Sequence, residues 1–257
     1  MVLEGTVPAG EYWAARAGDS AFAPGQVLRP GTVVGRIPAW TFPDLAPEKP
    51  IPFDYRVLHV DEELVVVDKP HFLPSTSNGR LVTETAQTRL RREFGEETAP
   101  LHRLDRLTAG VLVSARTSAA RSRYQRMFAA RRVGKTYLAR VDGVLDYPDW
   151  VEIRLGMTKA KGRRQVTVDE AGTPTRTWIR SLAPDVVELR PTTGHTHQLR
   201  VLLNHLGAPI HGDDTYPVDR GLDLHDFTSP LQLYATAVTF PDGRAFRSRP
   251  GWADRLG

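Results

Sequence analysis

Short apolar runs and alternating apolar positions recur along the chain from residue 64 onward. Runs rich in Val, Ile and Leu that are bounded by polar or turn residues predict β-strands, here over 64–68, 111–115, 136–141, 150–155, 176–182, 186–191 and 232–240. Apolar residues at helical spacing predict helices over 83–94, 117–132 and 195–207. Because the strands mostly follow one another without helical crossovers, we predict an α+β fold. Its mixed, largely antiparallel sheet would be flanked by helices and loops.

Residues 1–49 lack this pattern. They are rich in Gly, Pro and Ala, with turn signals at Pro24-Gly25 and Pro30-Gly31. The prolines of residues 37–55 predict an extended connector, since proline donates no backbone hydrogen bond and restricts its neighbour. We therefore place a boundary near residue 50, between a short N-terminal appendage (1–49) and a main domain (50–257).

Composition narrows the function classes. The chain of 257 residues has no cysteine, which excludes disulfides, thiolate metal sites and a cysteine nucleophile. The N-terminal sequence lacks the basic and apolar regions of a secretory signal, and no stretch approaches the roughly 18 apolar residues of a membrane span. We expect a soluble, cytoplasmic protein that is a monomer.

The basic residues are mostly arginine. The net charge is +4, and 29 of the 34 basic residues are Arg. Arginine binds phosphate through a planar fork and stacks on bases, but a genome that favours Arg codons gives the same bias. The arginine content alone therefore does not distinguish nucleic-acid binding from codon bias.

Three segments carry residues suited to chemistry. The first places Asp105 between Arg103 and Arg106. Neighbouring positive charge favours the ionised form of an acid, and an ionised carboxylate can act as a nucleophile. An ordinary ion-paired turn would show the same pattern.

The second segment, residues 192–216, contains four histidines followed by two aspartates. A metal-dependent phosphodiesterase could use His195, His197, His211 and Asp213. The spacing is poor for this, because His195 and His197 lie two residues apart and do not share a helix face. The third segment, Lys135-Thr136-Tyr137, is unremarkable on its own.

Together and in order, these segments resemble the RluA-type RNA pseudouridine synthases. The resemblance runs from about residue 53 to residue 240. The matching motifs are VVVDKPHFLPS (65–75), HRLDRLTAGVLV (102–113), KTY (135–137), TGHTHQLR (193–200), GAPIHGDDTY (207–216) and LQLYATAVTF (231–240).

The resemblance implies an isomerase that uses no cofactor and no metal, with its active-site cleft across the sheet. Asp105 matches the catalytic aspartate of the family, and attack on the uracil ring or on the ribose both remain open. Tyr137 matches the tyrosine that stacks on the target uracil, and Arg200 matches the basic residue that pairs with the aspartate. Lys69 and Pro70 would shape the floor of the site.

The partner that the resemblance implies is ribosomal or transfer RNA, with no obligate protein partner and no membrane. Arg103 would fill the gap left by the flipped base. The appendage is too short and too poor in charge to be the intact RNA-binding module that many relatives carry. An RNA-binding protein with an inactive site remains an alternative. The residues expected to bind RNA are Arg103, Arg106, His195, Arg89, Arg92, Lys161 and Arg163, together with the arginines of Arg121–Arg132.

Overall fold

A computed structural model describes residues 2–15, 21–23, 25–41, 48–77 and 81–256. Part of the turn predicted at Pro24-Gly25 and residues 42–47 of the predicted connector lie outside these ranges. The chain divides into two compact units, Met1–Glu48 and Lys49–Gly257.

The N-terminal unit is an antiparallel four-stranded sheet with strand order β1-β4-β2-β3. Its strands are β1 (Val2–Thr6), β2 (Tyr12–Ala14), β3 (Val27–Leu28) and β4 (Val33–Thr41). The prediction of a connector from residue 37 is therefore wrong over residues 37–41. Ile37 and Ala39 are buried on β4 against Leu3 and Ala14, and this burial holds the proline-containing segment in the sheet.

The main unit is built on an 11-stranded sheet, in which strands β11-β10-β12-β13-β9-β14-β8-β6-β5 follow one another, β15 pairs with β14 and β7 pairs with β8. Only β8 and β14 pair in parallel among the described strands. The predicted α+β class with a largely antiparallel sheet is confirmed. The strands are β5 (Arg56–Val60), β6 (Leu64–Lys69), β7 (Ala99–Pro100), β8 (Ala109–Ala115), β9 (Gly134–Arg140), β10 (Val151–Thr158), β11 (Thr167–Val168), β12 (Thr173–Ala183), β13 (Val186–Pro191), β14 (Leu233–Thr239) and β15 (Ala245–Arg247).

The main unit has three α-helices and a C-terminal 3₁₀ helix among its described residues: α1 (Ala86–Phe94), α2 (Ser118–Ala129), α3 (Gln198–His205) and the 3₁₀ helix Gly251–Leu256. All three helices begin later than predicted, and in α1 and α2 a threonine caps the start. Thr85 accepts from the Thr88 N–H, and Thr117 accepts from the Ala120 N–H. None of the helices in the described residues has the length and apolar character needed to cross a membrane.

The helices cover both faces of the sheet at β6. Alternate residues of a strand point to opposite faces. Val65 and Val67 pack in a core with Leu90 of α1 and Leu203 of α3. Leu64 and Val66 pack in a second core with Ala120 and Tyr124 of α2. The continuous apolar run of β6 thus reflects a strand buried on both sides.

Gly110 allows β8 and β14 to approach closely. Its φ is +111°, and a Cβ at this position would lie 2.2 Å from the carbonyl oxygen of Ala235. Only glycine fits such a backbone without strain. Because β14 lies between β8 and β9 in the sheet, the close pairing places the loop that precedes β8 one strand away from β9.

Candidate active site

Asp105 lies in the loop between β7 and β8, and contacts on either side of it hold the loop. The Leu104 N–H donates to Ser75 Oγ at 2.9 Å, and the Ser75 hydroxyl donates to the Leu104 carbonyl at 2.8 Å. On the other side, His71 Nδ1 donates to the Leu107 carbonyl at 2.7 Å. Leu104 and Leu107 are buried in the core. The backbone is therefore fixed around Asp105, whose side chain is 40% exposed.

Lys69 lies fully buried beneath this loop. Its Nζ donates to the carbonyls of Pro70 at 2.9 Å, Leu73 at 2.7 Å and Arg106 at 3.4 Å. Burial lowers the pKa of Lys69 to about 7, and the negative charge of Asp105 opposes this shift. These contacts agree with the structural role expected of Lys69.

His102 ties the start of the loop to β8. Its Nε2 accepts from the Val113 N–H at 3.1 Å, and its ring stacks on Phe128 of α2. Burial, together with the smaller effect of the Lys135 charge, lowers the pKa of His102 to about 3. The ring therefore remains neutral near pH 7 and acts as a hydrogen-bond acceptor.

A cavity of about 1010 Å³ brings the three predicted catalytic side chains together. Asp105, Tyr137 and Arg200 all line it, although they come from a loop, β9 and α3. Arg103, His195 and Lys159 also line it. We call this space the catalytic cavity.

Tyr137 is largely buried on β9, with its ring in the core cluster and one side on the catalytic cavity. Burial, followed by the negative charge of Asp105, raises the pKa of Tyr137. The phenol therefore stays protonated at neutral pH. Its hydroxyl makes no hydrogen bond with any residue that the structure describes.

Arg200 contacts Asp105 less closely than the sequence suggested. Arg200 Nη1 lies 4.0 Å from Asp105 Oδ2, which is a charge contact without a hydrogen bond. Its strong partner is Asp213, through Nε to Oδ2 at 2.8 Å and Nη2 to Oδ1 at 2.5 Å. Nη2 also donates to Asp214 at 2.9 Å. The guanidinium plane is thus fixed, and Nη1 is left to face Asp105.

Asp213 fixes the position of Arg200, and this role was not predicted from the sequence. Its side chain is fully buried, and it also accepts from the N–H groups of Thr215 and Tyr216. Burial alone would lower the pKa of Arg200. The hydrogen bond from Arg200 to Asp213 and the negative charge of Asp213 have a larger effect, so the pKa of Arg200 is raised. The GDDTY segment signals the position of Asp213 in the chain but not its partner.

Of the residues expected to bind RNA, Arg103 and His195 line the catalytic cavity. Arg103 is exposed, and His195 is half-buried. Arg131, which follows α2, also lines the cavity. In the 159–164 loop, Lys159 lines the cavity and Arg164 is ion-paired to Asp214 at 2.7 Å. The exposed Arg92, Lys161 and Arg163 do not line the cavity.

The structure contradicts the RNA-binding assignment of Arg89. This side chain is 17% exposed and donates to the carbonyls of Phe53 at 2.5 Å and Ile51 at 2.8 Å. It also forms an ion pair with Glu84 at 2.7 Å. Arg89 therefore anchors the chain before β5 to α1, and both of its Nη atoms already donate within the protein.

Arg106 is likewise turned away from the catalytic cavity. It donates to the Asp223 carbonyl at 3.1 Å, and its guanidinium lies over the Phe72 ring, 5.8 Å from the centroid. These contacts attach the Asp105 loop to residues near 223. Arg106 is thus engaged within the protein, and RNA binding by this residue stays a prediction.

In the described ranges, no three His, Asp or Glu side chains are placed to share a metal ion. The hypothesis of a metal-dependent phosphodiesterase therefore has no ligand set there. His211 Nδ1 lies 2.8 Å from Asp142, and His197 Nδ1 lies 3.2 Å from the Tyr216 hydroxyl. Asp213 is occupied by Arg200. Three of the four residues of that alternative, His197, His211 and Asp213, thus have separate side-chain partners.

Comparison with known proteins identifies the family of the chain. Residues 63–205 match the family model described as RNA pseudouridylate synthase. The chain is 36% identical over 200 residues to the dual-specificity RNA pseudouridine synthase RluA of Salmonella typhi, covering 71% of this chain and 85% of that protein. It is 37% identical over 174 residues to human pseudouridylate synthase RPUSD2, covering 63% of this chain but only 30% of that protein. Among solved structures, human RNA pseudouridylate synthase domain containing 1 superposes with a TM-score of 0.65 at 25% identity, covering 82% of this chain and 89% of that one.

Proposed function

Because the chain belongs to the RNA pseudouridylate synthase family, we propose that it isomerises a uridine of ribosomal or transfer RNA to pseudouridine, with Asp105 as the nucleophile. One observation supports this most directly. The Asp105 carboxylate, the Tyr137 ring and Arg200 Nη1 face the same cavity.

The reaction moves a bond within one nucleoside. The bond from uracil N1 to the ribose C1′ breaks, and a bond from C5 to C1′ forms. The proton on C5 leaves, and N1 ends protonated, so that atoms and electrons balance without an added reactant. In the proposal, Asp105 forms the transient covalent link to the nucleoside that allows the uracil to detach and turn.

The residues around Asp105 have separate tasks. Arg200 Nη1, 4.0 Å from the carboxylate, stabilises its negative charge. Asp213 holds the Arg200 guanidinium in this direction. The neutral Tyr137 ring offers a flat surface on which the detached uracil can rotate.

The substrate base must leave its stack to reach this cavity, which costs a few kcal/mol. Arg103 is exposed at the cavity and belongs to the same loop as Asp105. In the proposal it occupies the space that the flipped base vacates and offsets part of that cost. His195 and Lys159 contact the phosphates beside the target uridine.

The test is expression in a bacterial strain that lacks its own RluA-type synthases, with pseudouridine mapped by chemically induced reverse-transcription stops. We expect new stops with the wild-type protein and none with Asp105→Asn. Affinity for the same RNA should stay within about tenfold, a difference of about 1.4 kcal/mol.

Asp149→Asn is the matched control, because Asp149 is exposed and does not line the catalytic cavity. It should give wild-type stops. Near-normal pseudouridine formation by Asp105→Asn would show that the nucleophile is another group.

A further inference from the structure

A second cavity, of about 1070 Å³, opens on the other face of the sheet from Tyr137. Thr136 and Leu138 of β9 line it, whereas Tyr137 between them lines the catalytic cavity. Successive side chains of a strand point to opposite faces. The two cavities therefore lie back to back across β9, and we call the second one the rear groove.

The rear groove is strongly basic. Glu188 is the one acidic residue among the described residues that line it, and it is already ion-paired with Arg180 and hydrogen-bonded to Arg190. The basic lining residues are Arg131, Arg132, Lys135, Arg190, Arg247 and Arg249.

Several of these cations have no partner in the part of the chain that the structure describes. The side chains of Arg131, Arg132 and Arg247 are exposed and form no hydrogen bond or ion pair with a residue in the described ranges. Clustered arginines that are not neutralised repel one another, so a bound polyanion would stabilise the arrangement. This charge distribution fits the phosphates of a nucleic acid strand.

The rear groove is continuous with the catalytic cavity. Arg131, Lys135 and Thr192 line both spaces. Lys135 is half-buried at the start of β9, and its Nζ donates to the Thr193 carbonyl at 3.3 Å. A strand that leaves the catalytic cavity over this edge meets the free arginines directly.

We propose that the rear groove binds the backbone of the substrate RNA beyond the target uridine. This inference rests on the proposed function, because it assigns the groove to the strand that continues from the catalytic cavity. The groove then contributes affinity for longer RNA without contacting the reacting base. A minimal RNA that fills the catalytic cavity alone does not reach it.

The test measures how the binding constant depends on salt concentration for two fluorescent oligouridylates, one of about 6 and one of about 20 nucleotides. For single strands, each phosphate contact adds about 0.7 to the steepness of the plot of log binding constant against log salt concentration. For the long oligonucleotide, Arg132→Ala with Arg247→Ala should reduce the slope by about 1.4. For the short one, the slope and the affinity should not change. Both residues are exposed, so the substitutions should leave the fold intact.

Arg220→Ala serves as the control, because Arg220 is exposed and lines neither cavity. It should leave both slopes at the wild-type value. Equal slopes for the double variant and the wild type on the long oligonucleotide would overturn the proposal, as would equal losses on both lengths.

The outcome is distinguishable from a failure of the proposed function. Binding of oligouridylate does not require turnover, so Asp105→Asn should show the wild-type difference between the two lengths. Suppose that the wild type forms no pseudouridine, but the double variant has a lower salt slope than the wild type for the long oligonucleotide alone. The isomerase proposal then fails, and the rear groove still binds RNA. If inorganic phosphate binds the rear groove but the double variant has the wild-type salt slope for the long oligonucleotide, the assignment of the groove to RNA is wrong.

Discussion

Tyr137 carries an aromatic face and a hydroxyl that substitution can separate. The proposed mechanism needs the face, because stacking a base on an aromatic ring contributes about 1–3 kcal/mol. The hydroxyl has no hydrogen-bond partner among the described residues, and burial raises its pKa, so it carries no charge at neutral pH. We expect Tyr137→Phe to retain most of the wild-type kcat/KM.

Tyr137→Leu should lower kcat/KM by about 5- to 150-fold, which corresponds to the loss of that stacking energy. Single-turnover assays of both variants on one RNA would measure the difference. Equal losses for Phe and Leu would indicate that the hydroxyl takes part in the reaction.

Asp213 and Asp105 both face Arg200, but they should differ in their effect on stability. Asp213 is fully buried and accepts two hydrogen bonds from Arg200, whereas Asp105 is 40% exposed and accepts none from it. Removing one partner of a buried ion pair costs about 3–5 kcal/mol, because the other charge stays buried. We therefore expect Asp213→Asn to lower the free energy of unfolding of the main unit by about that amount.

Asp105→Asn is the comparison, with an expected change within about 0.5 kcal/mol, as for other exposed positions. Urea denaturation followed by circular dichroism would measure both. Similar stabilities of the two variants would contradict the central position assigned to Asp213.

At the scale of elements, the pairing of β8 with β14 brings the Asp105 loop to Tyr137. Gly110→Ala would place a Cβ 2.2 Å from the Ala235 carbonyl oxygen, at a φ of +111°. Backbone strain and overpacking each cost about 1–3 kcal/mol. We expect a loss of several kcal/mol in the stability of the main unit and a matching loss of activity.

Gly134→Ala on β9 is the control, because its nearest contact would be an ordinary 3.6 Å to Thr239. It should change the free energy of unfolding by less than about 1 kcal/mol. Thermal unfolding of the two variants makes the comparison. A Gly110→Ala protein as stable as Gly134→Ala would show that β8 and β14 can separate without cost.

The same elements show what the sequence can and cannot predict. The strands β6 and β13 were predicted within one residue, because each begins with consecutive buried apolar residues, Leu64–Val67 in β6 and Val186–Val187 in β13. The strands of the N-terminal unit were missed, since Gly and Pro dominate residues 1–49 and β4 contains Pro38. The strand β5 has few buried positions, which gives a weak alternating pattern.

The site was predicted in part for a similar reason. The motifs identified Asp105, Tyr137 and Arg200, and the structure brings these three to one cavity. The sequence did not reveal that Asp213, and not Asp105, is the close partner of Arg200. It also did not separate Arg89 from arginines that are free to bind RNA. Such pairs join side chains from different segments of the chain, so they cannot be predicted from the local sequence around either residue.

At the scale of the whole molecule, the two units have separate hydrophobic cores. The core of the N-terminal unit is formed by residues between Leu3 and Ala39. The cores of the main unit are formed by residues from Ile51 onward. Because no described residue belongs to both sets, each unit has its own source of stability, and we expect them to unfold in separate transitions.

Ile37→Ala tests this separation. Ile37 is 5% exposed, and removing a buried isoleucine side chain costs about 2–5 kcal/mol. We expect faster amide hydrogen exchange in β1 and β4, measured by mass spectrometry, with unchanged exchange in β6 and β8. Pseudouridine formation at saturating RNA should be the same as in the wild type, because every residue lining the catalytic cavity belongs to the main unit. Leu112→Ala, in the main core, should have the reverse effect on exchange. If Ile37→Ala instead released the amides of β6 and β8 to the same extent, the two units would unfold as one, and their separate cores would not set the stability of the chain.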